Sequence, residues 1–451
     1  MKKIKSLRQL AVPIFLETLL LMLLGQADIL MLSQFNDKAA GAVGASFQMI
    51  GTLKIVFVIV SAGTSVLIAQ NLGAKKQTEV EKVCSLSLVM NFLVGLLLSA
   101  IMIFHTEAVL IRLGIERELL EFASIYMKIV GGAIFFQALF ITLSAILRSH
   151  GYAKESMLIS VVVNILNAFG DAILIFGLFG APVMGVKGVA MATAGAKMLS
   201  AFCAFVFLFK VILPINIFKH LLDKPFGKLK SLIKIGFPAA MENMSYNLYQ
   251  IAVMSVILIN LGDMAYVTRT YVWSIAWFVM VFSIAIGQAN QIIIGQLVGA
   301  GRFKKAYRTG LKNFKKGMIF SIIGGLILFV FGRNIISIYT DNQQIIMLGG
   351  ATLMIDGLLE PGRTFNIVLI NSLRGAGDVI FPVVMAIFSM WGIGLVLAYI
   401  FGVVLGFGLP GIWIGLLIDE WLRGICMLFR WRGKKWHEKA VVKEAGTEIP
   451  G

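Results

Sequence analysis

Apolar runs of bilayer length follow one another along almost the whole chain, and that leaves it few folds. Of the 451 residues, 59% are hydrophobic and only 14% charged, with a mean hydropathy of +0.89. A bilayer core about 30 Å thick takes roughly 20 helical residues per crossing. The runs predict helices near 10–33, 44–70, 84–105, 120–147, 157–180 and 187–213. A second set falls near 234–260, 268–296, 313–332, 345–373, 379–405 and 411–431. The expected fold is an all-α integral membrane protein of twelve transmembrane helices.

The two sets are copies. Leu10-Ala-Val-Pro13-Ile-Phe-Leu-Glu17 returns as Ile235-Gly-Phe-Pro238-Ala-Ala-Met-Glu242. Gln70-Asn-Leu-Gly-Ala returns as Gln296-Leu-Val-Gly-Ala, and Leu147-Arg-Ser-His-Gly as Leu373-Arg-Gly-Ala-Gly. Lys187-Gly-Val-Ala-Met returns as Pro410-Gly-Ile-Trp-Ile, so the offsets are 225, 226, 226 and 223. Six helices per copy give two parallel lobes related by a pseudo-two-fold axis along the membrane normal, an arrangement typical of transporters. The domain reading is an N-terminal lobe over 1–213, a linker over 214–233, a C-terminal lobe over 234–431 and a tail over 432–451. The linker, with Pro225 and several lysines, reads as an amphipathic stretch on the cytoplasmic face, and the polar tail as disordered.

The formal net charge of +17 suggests nucleic acid until its distribution is examined. Lys2, Lys3, Lys5, Arg8, Lys75, Lys76, Lys82, Arg148 and Lys154 fall on one side of the twelve-helix topology. So do the lysines of the linker, the loop Arg302–Lys316 and the tail. The opposite side holds only Lys38, Arg112, Arg117, Lys187, Arg269 and Arg333. This is the positive-inside bias, which places both termini in the cytoplasm of a multi-pass cell-membrane protein. No nucleic-acid partner is expected.

Enzyme chemistry has no residues to work with. The four histidines stand at helix ends, in loops or in the tail, and no HExxH, GxSxG or Walker loop occurs. Cys84, Cys203 and Cys426 form no CxxC pair and read as helix-packing residues. No cleavable signal peptide is expected at the basic start. The expectation is a non-enzyme with no cofactor, powered by an ion gradient.

Charges within the runs are the informative residues, because each costs at least about 2.5–3.5 kcal/mol in the hydrocarbon. The first lobe has Glu17, Asp28, Lys54, Lys128, Asp171 and Lys197. The second has Glu242, Asp356, Glu360, Arg363, Asp419, Glu420 and Arg423. Asn164, Asn167 and Asp171 stand at i, i+3 and i+7, hence on one helical face. With Thr193 and Asp28 they can form a polar cluster that takes up a proton or, through carboxylate, amide and hydroxyl oxygens, holds sodium at Asp28, Asn167 and Asp171. The simpler reading of Asp28 is a pair with Lys54. Pro13 kinks its helix, as either a fixed bend or a hinge. Glu17 and Glu242 occupy equivalent positions and have either a structural or a cavity-lining role. Glu360 and Arg363, three apart, read as an intrahelical pair, and so do Asp419 and Arg423, four apart. Lys54, Tyr246, Asp356, Glu360 and Arg363 join Glu17 and Glu242 as substrate-cavity candidates.

Across almost its whole length the chain resembles the multidrug and toxic compound extrusion (MATE) transporters. The resemblance rests on Pro13 followed by Asp28-Ile-Leu-Met, the Gln70 and Gln296 loops, Asn167 with Asp171-Ala-Ile-Leu-Ile-Phe-Gly, Leu373-Arg-Gly-Ala-Gly-Asp378 and Gly185-Val-Lys-Gly-Val-Ala-Met-Ala-Thr193. It implies a pair of six-helix lobes that export amphipathic, often cationic, organic compounds by rocker-switch alternating access. Inward flow of protons or sodium drives that export, and the protein is a monomer. It also implies a first-lobe ion site at Asp28, Asn167, Asp171 and Thr193, with bending at Pro13. The family's helix 4 asparagine has no obvious counterpart within Phe135–Thr142. The NorM-type second-lobe sodium site is not reproduced either, since Arg363 stands where its aspartate belongs and Tyr246 near its helix 7 glutamate. A flippase for lipid-linked sugars is the alternative in the same superfamily, and Lys54, Lys128, Lys197 and Arg363 speak for it.

Overall fold

A computed structural model describes residues 4–24, 27–34, 36–112, 114–221, 223 and 226–442; for Leu24, Ala27, Asp28, Ile29, Asp37 and Phe226 only the backbone is described. Among these residues there is no strand, and the helices resolve into twelve membrane-crossing elements. In the first half, α1 is Leu7–Leu24 followed by Ala27–Ser33, α2 is Asp37–Gly73 and α3 is Gln77–Phe104. Next, α4 is Arg117–Tyr126, a wide turn Met127–Gly131 and then Ile134–Ser149. The half closes with α5, Ala153–Phe176, and α6, Gly185–Phe207 extended by Leu208–Ile212.

In the second half a single helical stretch, Phe226–Gly299, contains two crossings. It breaks at Gly262, whose φ of 79° lies in the region that favours glycine, giving α7 over 226–261 and α8 over 263–299. Then come α9 (Phe303–Ile336), α10 (Gln343–Ala376), α11 (Ile380–Ser389 running on to Ile400–Val404) and α12 (Gly408–Arg432). On α9 the exposed residues Ile319, Phe320, Ile323, Leu326, Ile327 and Val330 recur at helical spacing, forming a stripe suited to lipid.

The chain packs as two compact units. The N-unit comprises Leu16–Ile68 and Lys76–Ala240, and the C-unit Met1–Phe15, Ala69–Lys75 and Met241–Gly451. Each has its own core. Phe57, Met102, Tyr126, Ile175 and Val189 meet in the N-unit, and Tyr249, Val272, Leu353, Met390 and Trp413 in the C-unit. The start of α1 and the end of α2 thus belong with the second-half helices, while the start of α7 belongs with the first-half helices.

Two segments differ from expectation. Ordered helix begins at 226, inside the stretch read as linker, and a short turn Ile215–Leu221 buries Ile217. The tail is structured as far as residue 442, because an indole has a partner to stack on. Trp436 is fully buried on Trp431, with ring centroids 4.3 Å apart and planes 7° apart. Lys128, counted above among the intramembrane charges, meets the exposed Glu107 of helix Thr106–Arg112 at 2.8 Å. This ammonium beside it holds the Glu107 carboxyl below the usual carboxylate range.

Candidate functional site

Helix α5 carries the first cluster. Its spacing puts Asn167 and Asp171 one turn apart, and the Asn167 amide Nδ2 donates to Asp171 Oδ2; Asp171 is fully buried. Asn164, a turn earlier, turns its amide to the Ser160 carbonyl at 2.6 Å. Asn164, Asn167 and Thr193 line a cavity of about 230 Å³ within the N-unit. The structure therefore brings together three of the five ion-coupling candidates, with Asp171 bonded directly behind Asn167. Asp28 stands on the helix Ala27–Ser33, and its side chain lies outside the described residues. Pro13 is buried within Leu7–Leu24, which stays helical through it.

The same cavity is lined by Lys54 from α2, Lys197 from α6 and Gln137 from α4. Gln137 thus brings a side-chain amide from α4 to this cavity. Sequence reasoning passed over it because the helical phase that turns it inward depends on the wide turn Met127–Gly131 just before it. Among the cavity candidates only Lys54 lines this space. Glu17 is instead held by Arg148, with Nη2 donating to Oε1 at 3.1 Å, and Glu242 by Arg374 at 2.5 Å. These glutamates occupy equivalent repeat positions, and each answers the arginine of its own Leu-Arg motif, which favours the structural side of their two readings.

The remaining candidates meet in the C-unit. The two expected intrahelical pairs form: Arg363 Nη1 donates to Glu360 Oε1, and Arg423 Nη2 to Asp419 Oδ2 at 2.8 Å. They are not separate. Arg423 also reaches Glu420 Oε1 at 2.8 Å, and Arg363 Nε lies 4.0 Å from that oxygen. Asn366 donates to Glu420 Oε2 at 3.0 Å, Ser389 to Asp419 Oδ1 at 2.5 Å, and Trp413 Nε1 to Asp356 Oδ1 at 3.0 Å. Tyr249 is buried against Asp419 and Gly394, and Tyr246 lies beside it, ring centroids 6.4 Å apart. Four buried carboxylates thus face two guanidiniums. Asp356 lies in the field of Arg363 but makes no ion pair within 4.0 Å among the described residues, and its Oδ2 and Glu360 Oε2 accept no hydrogen bond there. Each helix contributes two acids and one base to this cluster, a local imbalance already present in the sequence; that α10 and α12 share one network is visible only in the fold.

The repeated loop motif has a structural use as well. Gln70 Nε2 donates to the Gly375 carbonyl at 2.9 Å, and Gln70 Oε1 accepts from Val441 N at 2.9 Å. Gly73 packs on the Gln296 carbonyl and Gly299 on the Gln70 carbonyl, so the two copies of the motif cross at their glycines within the C-unit. Among the described residues no three His, Cys, Asp or Glu side chains group as a metal site.

Twelve membrane-crossing helices in duplicate, buried ionisable clusters and a polar cavity inside a six-helix set define a polytopic membrane transporter. The chain belongs to the MatE family, the multidrug and toxic compound extrusion transporters, whose family model matches residues 13–173 and 238–400. Members of this family are transporters and not enzymes. The chain is 41% identical to the "Uncharacterized transporter YisQ" of Bacillus subtilis, over 97% of this chain and 96% of that one. It is 28% identical to the "Probable multidrug resistance protein NorM" of Thermotoga maritima, over 98% and 96%. Two solved structures share the fold, each covering 95% of both chains. One is described as the "Outward-facing conformation of a multidrug resistance MATE family transporter of the MOP superfamily", with a TM-score of 0.84 at 21% identity. The other is a MOP superfamily transporter from Pyrococcus furiosus whose "Reverse polarity of binding pocket suggests different function", with a TM-score of 0.82 at 20% identity.

Proposed function

We propose that this transporter is a secondary active multidrug exporter in which inward flow of protons or sodium ions drives efflux of amphipathic organic compounds, cationic dyes among them. The observation that carries the coupling is the buried charge of the C-unit: Asp356, Glu360, Asp419 and Glu420 against Arg363, Arg423 and Arg269, whose guanidinium shares the Trp273 ring with that of Arg363. Uncompensated charge is very costly there, so the surplus of acid calls for protons or monovalent cations. The Asn164, Asn167, Asp171 and Thr193 cluster, with Asp28, is the proposed coupling site of the N-unit, and Pro13 the hinge of α1. The four cargo-cavity candidates of the C-unit network serve ion handling in this reading. Alternating access follows if ion and cargo favour opposite conformations, since a ligand shifts an equilibrium only through differential affinity. The protein acts as a monomer with both termini cytoplasmic.

Ethidium efflux from proteoliposomes tests the proposal, with proton and sodium gradients imposed separately. Efflux that follows one gradient and is lost in Asp28→Asn supports export and N-unit coupling. Loss in Asp356→Asn with Asp28→Asn active moves the coupling to the C-unit. Wild-type protein that moves no dye under either gradient contradicts the exporter reading.

A further inference from the structure

Among the described residues that line the N-unit cavity, two carry ammonium groups, Lys54 and Lys197, and none is acidic. Among the described residues no carboxylate comes within ion-pairing distance of Lys54; its nearest named partner is the Phe47 ring, 5.3 Å from Nζ to the centroid. Asp171, to which the Asn167 amide donates, is not among the residues that line it.

The polar groups beside the lysines point the same way. Ser160 and Thr193 are 1% and 8% exposed, and their hydroxyl oxygens have no hydrogen-bond partner among the described residues. Unsatisfied buried polar groups are rare because each costs about 1–3 kcal/mol. Hydroxyls and side-chain amides are able to donate. Cationic and hydroxyl groups therefore converge on one space, whose walls also include Tyr126, Ser200 and Gln137, with the Gln137 Oε1 acceptor unbonded among the described residues, and apolar residues such as Leu21, Ile50 and Phe140. At about 230 Å³ it is below the roughly 300–1,000 Å³ of a pocket that encloses a drug-sized molecule. It suits a charged headgroup whose apolar remainder extends beyond it.

We propose that this cavity binds the anionic headgroup, carboxylate or phosphate, of an amphipathic compound, with Lys54 and Lys197 as its counter-charges, so that the exporter's cargo includes amphipathic anions. The inference rests on the export reading above and names a cargo class for it.

The test uses the full-length protein in phosphatidylcholine nanodiscs, titrated with dansylamino-undecanoate and with its neutral primary amide. One charge-assisted interaction predicts that the carboxylate binds about tenfold or more tightly than the amide. Lys54→Gln and Lys197→Gln should each reduce that preference, and Lys54→Arg should retain it, which separates loss of charge from loss of folding. Competition by short-chain phosphatidylglycerol but not by inorganic phosphate would identify a lipid headgroup as the natural ligand and supports the site. Equal binding of the two probes, or a preference intact in both Gln variants, overturns the proposal. Ethidium efflux by the same preparation reads the export function separately. Efflux without anion preference removes this inference alone, while anion preference without efflux supports the site and counts against dye export.

Discussion

Arg148 donates from Nη2 to Glu17 Oε1 at 3.1 Å, joining the arginine of one repeated motif to the glutamate of another. Arg374 and Glu242, their counterparts in the second copy, make the same contact at 2.5 Å. Each unit therefore closes its own copy of one ion pair, and the duplication is conserved in contacts as well as in spelling. In a bilayer such pairing offsets the cost of the charge.

Removing one partner leaves the other buried and uncompensated, a loss of about 3–5 kcal/mol. Glu17→Gln and Glu242→Gln should each lower the thermal midpoint of the purified protein, and the exchange Glu17→Arg with Arg148→Glu should recover part of it. A midpoint unchanged in both single variants would show that neither pair matters to stability.

In the C-unit network, neutralising an acid and neutralising a base should differ in effect. Asp356→Asn keeps an acceptor for Trp413 Nε1 and removes surplus charge, so stability should stay within about 1 kcal/mol of wild type. Arg423→Met leaves Asp419 and Glu420 without their guanidinium and should cost about 3–5 kcal/mol. Equal losses in the two variants would mean that the carboxylates are not in effective excess.

At the crossing of the repeated loops, a Cβ added to Gly299 would fall within the Gln70 carbonyl, and one added to Gly73 within that of Gln296. These are backbone atoms with no rotamer to yield. Gly299→Ala should therefore destabilise the C-unit by about 1–3 kcal/mol or more, whereas Gly44→Ala, with nothing within 4 Å, should be neutral. Comparison of the two melting curves decides it.

The docked tail should respond to pH. Burial, and then the Lys434 ammonium, push the His437 imidazole below its ordinary value, and its ring lies against Trp436 and Phe303. The released tail then takes up protons more readily than the docked one. Docking is fully favoured above the ordinary histidine value of about 6.5 and weakens as pH falls below it. Limited proteolysis near residue 436 should quicken at low pH in wild type and lose that dependence in His437→Gln; a pH-independent rate in wild type would disprove it.

What the sequence determined follows from local rules. A bilayer demands helices, so apolar length alone marked the twelve crossings, including the two hidden in Phe226–Gly299. Helical spacing alone placed Asn164, Asn167 and Asp171 on one face and paired Arg363 with Glu360 and Arg423 with Asp419. What only the tertiary structure decided involves partners far apart in the chain. The pairing of Glu17 with Arg148, the union of the α10 and α12 charges, the entry of Gln137 into the cavity and the docking of Trp436 on Trp431 all depend on how helices turn about their axes when packed. Periodicity fixes which residues share a face, but the neighbour that face meets is set by side-chain volume and by backbone approach at residues such as Gly73 and Gly299, where a Cβ would not fit.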